Sequence, residues 1–287
     1  MLTLPAPAKI NLMLHIVGRR PDGYHRLQTL FQLLDFGDTL TLEPLAQPNI
    51  ELSCSDPELA SADNLVMRAA QALQPLTGNR TGARLYLNKQ LPAGGGLGGG
   101  SSDCATALLG LNQLWSLNLS VDELADIGLS LGADVPVFVR GHSAWAEGIG
   151  EQLTPVDMPQ NWFVVVHPGV HVSTAELFSH PQLTRHTPVS TIRSALTGAG
   201  HNDFEPLVRA LYPDIDLAFA ALNALAGDGA ETARLSGSGS CMFIKTRSEM
   251  AAQQILSSIH DHHPGYRAFA ARGVNQSPLH RALARQG

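Results

Sequence analysis

The sequence predicts an α+β protein of two domains that share a cleft, and three features carry that expectation. Residues 8–17 alternate apolar and polar side chains, as a half-buried strand does. Residues 92–103 read Pro-Ala-Gly-Gly-Gly-Leu-Gly-Gly-Gly-Ser-Ser-Asp, a glycine-rich loop set between a strand-like and a helix-like stretch. The second half of the chain interleaves helical segments with strand-like ones, and 287 residues are enough for two sizeable cores.

In residues 8–17, Ile10, Leu12, Leu14 and Ile16 face one way and Lys9, Asn11, Met13 and His15 the other, so Lys9 and Asn11 project from one side of a strand. Residues 18–24 contain Arg-Arg-Pro-Asp-Gly, a turn by composition, and residues 27–42 are strand-rich. Ser61 or Asp63 can cap a helix running through Leu73. Residues 83–89 alternate as a strand. After the glycine loop, Ser101 or Ser102 can N-cap a helix with Ala105, Leu108 and Leu109 on one face. Residues 120–123 form a capping box for a further helix that stops near Gly132. Gly132-Ala133-Asp134-Val135-Pro136 follows, with a strand-like apolar run at 137–139. The Pro-containing stretch at 155–159 is a connector, dividing the chain into residues 1–155 and 156–287. Beyond it come strands at 162–166, 241–245 and 266–271 and helices at 203–211, 215–226 and 248–259, an order compatible with a ferredoxin-like split βαβ unit. Residues 235–240, Leu-Ser-Gly-Ser-Gly-Ser, make a second small-residue loop that by itself reads as a turn.

The composition, 44% hydrophobic and 15% charged, is that of an ordinary globular protein. A formal charge of −6 argues against a nucleic-acid partner, which needs a basic surface. No apolar run reaches the ~18 residues of a membrane span, and the N-terminus lacks the charged and apolar regions of a signal peptide, so no membrane partner and a cytoplasmic location are expected. Cys54, Cys104 and Cys241 are odd in number and show no C-x-x-C spacing, which favours reduced, buried thiols over a disulfide framework or a zinc site.

Six glycines around Leu97 make physical sense where a ligand approaches the backbone closely or where the chain needs positive φ. Strand, glycine loop and helix N-terminus together form a cradle for phosphate, because successive N–H groups point inward and the helix dipole favours negative charge. The run lacks the lysine of a P-loop and has no downstream acid of a dinucleotide fold. Ordered patterns on both sides disfavour the alternative of a flexible linker. A valine at Gly98 or Gly99 is expected to weaken nucleotide binding without unfolding the chain.

Five segments together resemble the GHMP kinase superfamily: Ala6-Pro7-Ala8-Lys9-Ile10-Asn11-Leu12, Gly18-Arg19-Arg20-Pro21-Asp22-Gly23-Tyr24-His25, the Gly-Gly-Gly-Leu-Gly-Gly-Gly-Ser-Ser loop, residues 132–136, and Gly273-Val274-Asn275-Gln276-Ser277-Pro278-Leu279-His280-Arg281. Within it they are most similar to the branch that phosphorylates a cytidyl sugar alcohol at its C2 hydroxyl in non-mevalonate isoprenoid synthesis. Cys104 and the Ser-Gly-Ser-Gly-Ser core of the second loop depart conservatively from that pattern. The resemblance implies a ribosomal-S5-like N-terminal domain, a ferredoxin-like C-terminal domain and an active site between them. It implies ATP as co-substrate and Mg²⁺, with no metal ligand identified.

On this basis Lys9 and Asp134 are the candidate catalytic residues. Asp134 is placed to receive the hydroxyl proton or to orient the hydroxyl, and the Lys9 cation either keeps it ionised and helps orient the hydroxyl or neutralises the transferring phosphoryl group. Pro92, Ala93, Gly94, Gly95, Gly96, Leu97, Gly98, Gly99, Gly100, Ser101 and Ser102 form the candidate ATP site, with Asn64. Asn11, Tyr24, His25, Thr174 and Phe178 are the candidate acceptor contacts, Tyr24 and Phe178 facing the base. A different small-molecule kinase of the superfamily and an ATP-binding regulator without catalysis are the competing readings. The presence of both Lys9 and Asp134 speaks against the regulator.

Overall fold

The structure, a computed structural model, describes residues 1–226 and 231–285. Strands β1 (Leu2–Arg19) and β2 (His25–Leu45) form a long antiparallel hairpin. Its turn is closed by Arg20 N–H to Tyr24 O at 2.7 Å. The pairing register slips between Pro7 and Lys9, Asn11 and Met13, and Ile16 and Gly18. Such bulges break the strict alternation read from the sequence and sharpen the local twist. The opposite edge of β2 pairs with β4 (Gly82–Asn88), and β3 (Ile50–Cys54) lies parallel to β4. Short β5 (Ala144–Glu147) joins β2 near Leu30 and carries β6 (Gln152–Pro155).

Four helices supply the apolar surface that covers this sheet: α1 (Leu65–Leu73), α2 (Gly99–Leu114), α3 (Val121–Leu131) and α4 (Val135–Arg140). Leu4, Leu40, Leu42, Leu85, Leu108 and Phe138 are among the side chains shut in between. The capping box at Ser120 and Glu123 forms as expected. Two caps fall elsewhere than expected. Asn64, not Ser61 or Asp63, caps α1 by accepting from Val66 N–H at 2.9 Å. Gly98, at φ +69°, holds the N-cap position of α2, so Ser101 and Ser102 lie inside its first turn. A third expectation is overturned: residues 137–139 are helical. Periodicity cannot separate a short buried strand from a short buried helix. Here Pro136 sits in the first turn, where its missing N–H costs nothing, and every side chain from Val135 to Val139 is buried.

In the second half, β7 (Trp162–His167), β8 (Arg234–Leu235), β9 (Met242–Thr246) and β10 (Arg267–Val274) are ordered β10-β7-β9-β8, each pair antiparallel. Helices α5 (Thr174–Ser179), α6 (Ile192–Leu196), α7 (Glu205–Leu211) and α8 (Pro213–Ala226) separate β7 from β8, and α9 (Glu249–His262) separates β9 from β10. This β-α-β-β-α-β course is the ferredoxin-like arrangement. The end of β10 then pairs with β2 at Leu33 and Leu34, welding both halves into one ten-stranded sheet. Gly273 permits that junction, because a Cβ there would stand 2.8 Å from the Gln32 side chain and 2.9 Å from the Phe163 ring. Residue 155 closes β6, ahead of β7. The last helix, α10 (Pro278–Ala284), returns to the first half and buries Leu279 in its core. Cys104 and Cys241 are buried free thiols and Cys54 is half-buried.

Candidate active site

The glycine loop is held in an unusual backbone. Gly94, Gly96 and Gly98 adopt φ of +67°, +76° and +69°, a left-handed region that favours glycine. Gly96 is the tightest point, for a Cβ there would lie 2.1 Å from Ser236 O. Ser236 Oγ in turn donates to Gly96 O at 2.9 Å, and Cys241 N–H donates to Gly95 O at 3.1 Å. The second small-residue loop is therefore a buttress for the first. Asn202 steadies it by donating to Leu235 O at 3.0 Å and Gly237 O at 2.7 Å. Gly94, Gly96 and Gly98 form a shared wall of two cavities, a large one of about 730 Å³ and a smaller one of about 360 Å³.

Lys9 and Asp134 meet in the large cavity. The bulge after Pro7 aims Lys9 inward, where it is buried, and its Nζ lies 3.3 Å from Asp134 Oδ2. Nζ also donates to Asn11 Oδ1 at 2.7 Å and to Gly96 O at 3.1 Å. Asn11 is locked from its other end, donating to Thr29 Oγ1 at 2.8 Å. With both ends of its amide engaged, Asn11 acts on Lys9 directly. Asp134 stands at the start of α4 yet makes no capping bond. About a third of its side chain (34%) is open to solvent, leaving an anionic oxygen facing the cavity. A buried cation beside a partly open carboxylate, next to backbone at positive φ, can hold an anion and accept a proton within a few ångströms.

Tyr24, His25, Thr174 and Phe178 line the same cavity. The His25 ring stacks on Phe178 with centroids 4.8 Å apart, and Phe204 meets Phe178 edge-on at 5.0 Å. Tyr24 is 62% exposed at the hairpin turn and stacks on no ring among the described residues, so a ring face is open to a ligand. Thr174 Oγ1 lies 2.6 Å from Ser238 Oγ. Burial, then the cations of Arg185 and Arg19, hold His25 below the usual imidazole range.

The small cavity is lined by Asn64, Leu65 and residues 92–101. Ser102 is not among its walls. It is fully buried, and its Oγ has no partner among the described residues. Lys89 and Asp103 do line it, and nothing in the sequence singled them out. Lys89 bridges Asp38 and Asp103, the latter at 2.8 Å, while Asp38 also accepts from Leu91 N–H at 2.8 Å. An isolated lysine near a strand end carries no signal of such a buried triad. Burial pushes the Asp103 carboxyl up to about 7, with Lys89 opposing and Asp38 adding to the shift, and Asp103 Oδ1 has no partner among the described residues. An acid whose folded-state value is raised keeps its proton longer when folded. Its contribution therefore falls as pH climbs from the ordinary carboxylate range through about 7. Asp103→Asn is expected to gain stability relative to wild type between pH 5 and pH 8, on the order of 1–3 kcal/mol, read as thermal midpoints at both values. A constant difference across that window would show that Asp103 is ionised throughout.

A model of the GHMP kinases N terminal domain matches residues 64–142, and one of the GHMP kinases C terminal matches residues 182–265. The chain is 54% identical to the 4-diphosphocytidyl-2-C-methyl-D-erythritol kinase of Chromohalobacter salexigens, over 98% of this chain and 94% of that one. It is 52% identical to the kinase of the same name from Marinobacter nauticus, over 98% and 97%. Among solved structures, a crystal structure of 4-(cytidine 5'-diphospho)-2C-methyl-D-erythritol kinase superposes with a TM-score of 0.84 at 31% identity, covering 95% of this chain and all of that one. A homoserine kinase from Cytophaga hutchinsonii shares the fold, with a TM-score of 0.66 at 19% identity over 96% of each chain.

Proposed function

Because the chain belongs to the GHMP kinase family, we propose that it transfers the γ-phosphoryl group of ATP to the C2 hydroxyl of 4-diphosphocytidyl-2-C-methyl-D-erythritol, in non-mevalonate isoprenoid synthesis. The observation that carries this reading is the shared glycine wall, with a nucleotide-sized cavity on one side and the Lys9–Asp134 pair on the other. ATP takes the small cavity, against Asn64 and residues 92–101, with its phosphates on the loop N–H groups. The acceptor takes the large one, its base between Tyr24 and Phe178 and its hydroxyl at Asp134.

Phosphoryl transfer through a loose transition state asks mainly for alignment and charge neutralisation. Asp134 orients the hydroxyl and takes its proton as the oxygen bonds to phosphorus, while the bond from phosphorus to the ADP oxygen breaks. A carboxylate is a weak base toward an alcohol, so the proton moves late. Lys9, fixed by Asn11, supplies a cation that need not reorganise. The carbonyl of Gly96, also bound by Lys9 Nζ, ties that cation to the phosphate loop. Mg²⁺ is held mostly by phosphates and water in such sites, and the described residues contain no cluster of three or more metal-binding side chains. Ser102 Oγ, fully buried and outside the walls of both cavities, is not placed to hold the ion, which phosphate oxygens and water would carry.

The direct test is ADP release with the cytidyl acceptor against homoserine, mevalonate and galactose. Turnover with the cytidyl acceptor alone is expected, and equal turnover with another alcohol would move the chain to a different acceptor. In the same assay Tyr24→Ala should raise the acceptor KM by about one to two decades, the worth of one stacked base. The KM for ATP should stay put. Equal losses for both substrates would make Tyr24 a structural residue.

A further inference from the structure

We propose that Arg185 is a positioning residue which fixes the tautomer of His25 and thereby makes the acceptor cavity select a cytosine-type ring over a uracil-type ring. The proposal rests on the cytidyl-acceptor reading above. Arg185 lies in the segment after α5 and engages every nitrogen of its guanidinium: Nη1 donates to Leu183 O at 3.0 Å, and Nη2 to Phe178 O at 2.9 Å and His180 O at 2.7 Å. The Nε N–H reaches across the cleft to His25 Nε2 at 3.2 Å. One side chain thus ties the C-terminal half, where Phe178 sits, to the first residue of β2 in the N-terminal half.

The chemistry of that last bond is one-directional. A guanidinium can only donate, so Nε2 must offer a lone pair, and a neutral ring then carries its proton on Nδ1. Burial first, then the cations of Arg185 and Arg19, lower the ring's hold on a second proton, and Asp22 at the hairpin turn is engaged by Arg20 at 2.8 Å. Among the described residues no protein group bonds to His25 Nδ1, and His25 lines the cavity beside Tyr24. The edge left for a ligand is therefore an N–H donor that cannot turn into an acceptor without losing the arginine.

Cytosine and uracil differ at the matching atom. N3 of cytosine is an acceptor, whereas N3 of uracil carries a hydrogen. A fixed donor pairs with the first and opposes the second, and in a site closed by Phe178 and Tyr24 neither group recovers water. Without Arg185 the imidazole is free to exchange tautomers, and either base finds a partner. The arginine then determines specificity without touching the ligand.

Two measurements test this on the intact protein. Long-range ¹H–¹⁵N spectra of the imidazoles, with His25 assigned by its loss in His25→Asn, should show the Nδ1–H form in the wild-type protein and a mixture in Arg185→Met. Steady-state kinetics of Arg185→Met should give an acceptor KM raised about tenfold, and a preference for the cytidyl over the uridyl acceptor lowered about tenfold, the scale of one mismatched buried hydrogen bond. The KM for ATP should be unchanged. Arg185→Lys, which keeps a donor but cannot span all four acceptors, should fall between. A wild-type His25 protonated on Nε2 overturns the proposal, whether or not the Arg185 variants fold. So does an Arg185→Met enzyme that keeps its base preference, or one in which both KM values rise together. If the wild-type enzyme turns over neither base-bearing acceptor, the cytidyl reading fails and base selection fails with it, while the spectra still decide the tautomer.

Discussion

Asp134→Asn is expected to lower turnover by roughly 10²–10⁴, the range for loss of a positioned general base, with ATP affinity changed by less than about twofold. Asparagine preserves shape and an oxygen toward Lys9 but removes both the charge and the proton acceptor. The fold should tolerate it. Asp134 makes no capping bond, its side chain is partly open, and Lys9 keeps Asn11 Oδ1 and Gly96 O as partners. Nucleotide binding should survive because Asp134 is not among the residues lining the small cavity. Single-turnover phosphoryl transfer with calorimetric ATP binding checks both halves. A variant within a few-fold of wild type would leave Asp134 as a mere neighbour of Lys9.

Gly98→Val should destabilise the whole protein, by about 3 kcal/mol or more, while Gly99→Ala should fold normally. Two costs add at Gly98. Its φ of +69° is strained for a β-branched residue, and a Cβ would stand 2.8 Å from the Phe138 ring and 3.1 Å from Lys9 Cε. Gly99 lies in the first turn of α2, and a Cβ there meets Leu91 and Lys89 at 3.5 Å, ordinary contact. The expectation that a valine would leave the fold intact thus does not hold at Gly98. Thermal unfolding together with ATP titration separates the cases. A Gly98→Val protein as stable as wild type would mean that the loop can change its backbone without disturbing α4.

Local pattern was enough for the features that depend on neighbours in sequence. Alternation put Lys9 and Asn11 on one strand face, and their 2.7 Å contact follows from that spacing. The density of glycine announced positive φ, and the capping box placed α3. Residues 137–139 mark where local pattern stops, since a fully buried apolar run has no polar face to reveal its period. The same holds for contacts made at long range. Lys9 reaches Asp134 because α4 packs against the glycine loop, with Phe138 beside Gly98. Ser236 props Gly96 because β2 and β10 join two domains into one sheet and bring both small-residue loops together. The Lys89 triad and the Arg185 bridge to His25 likewise draw their partners from separate elements. Sequence spacing encodes which way a side chain points from its own backbone. Which partner waits there depends on how the buried surfaces of distant elements fit, and only the packed tertiary structure decides that.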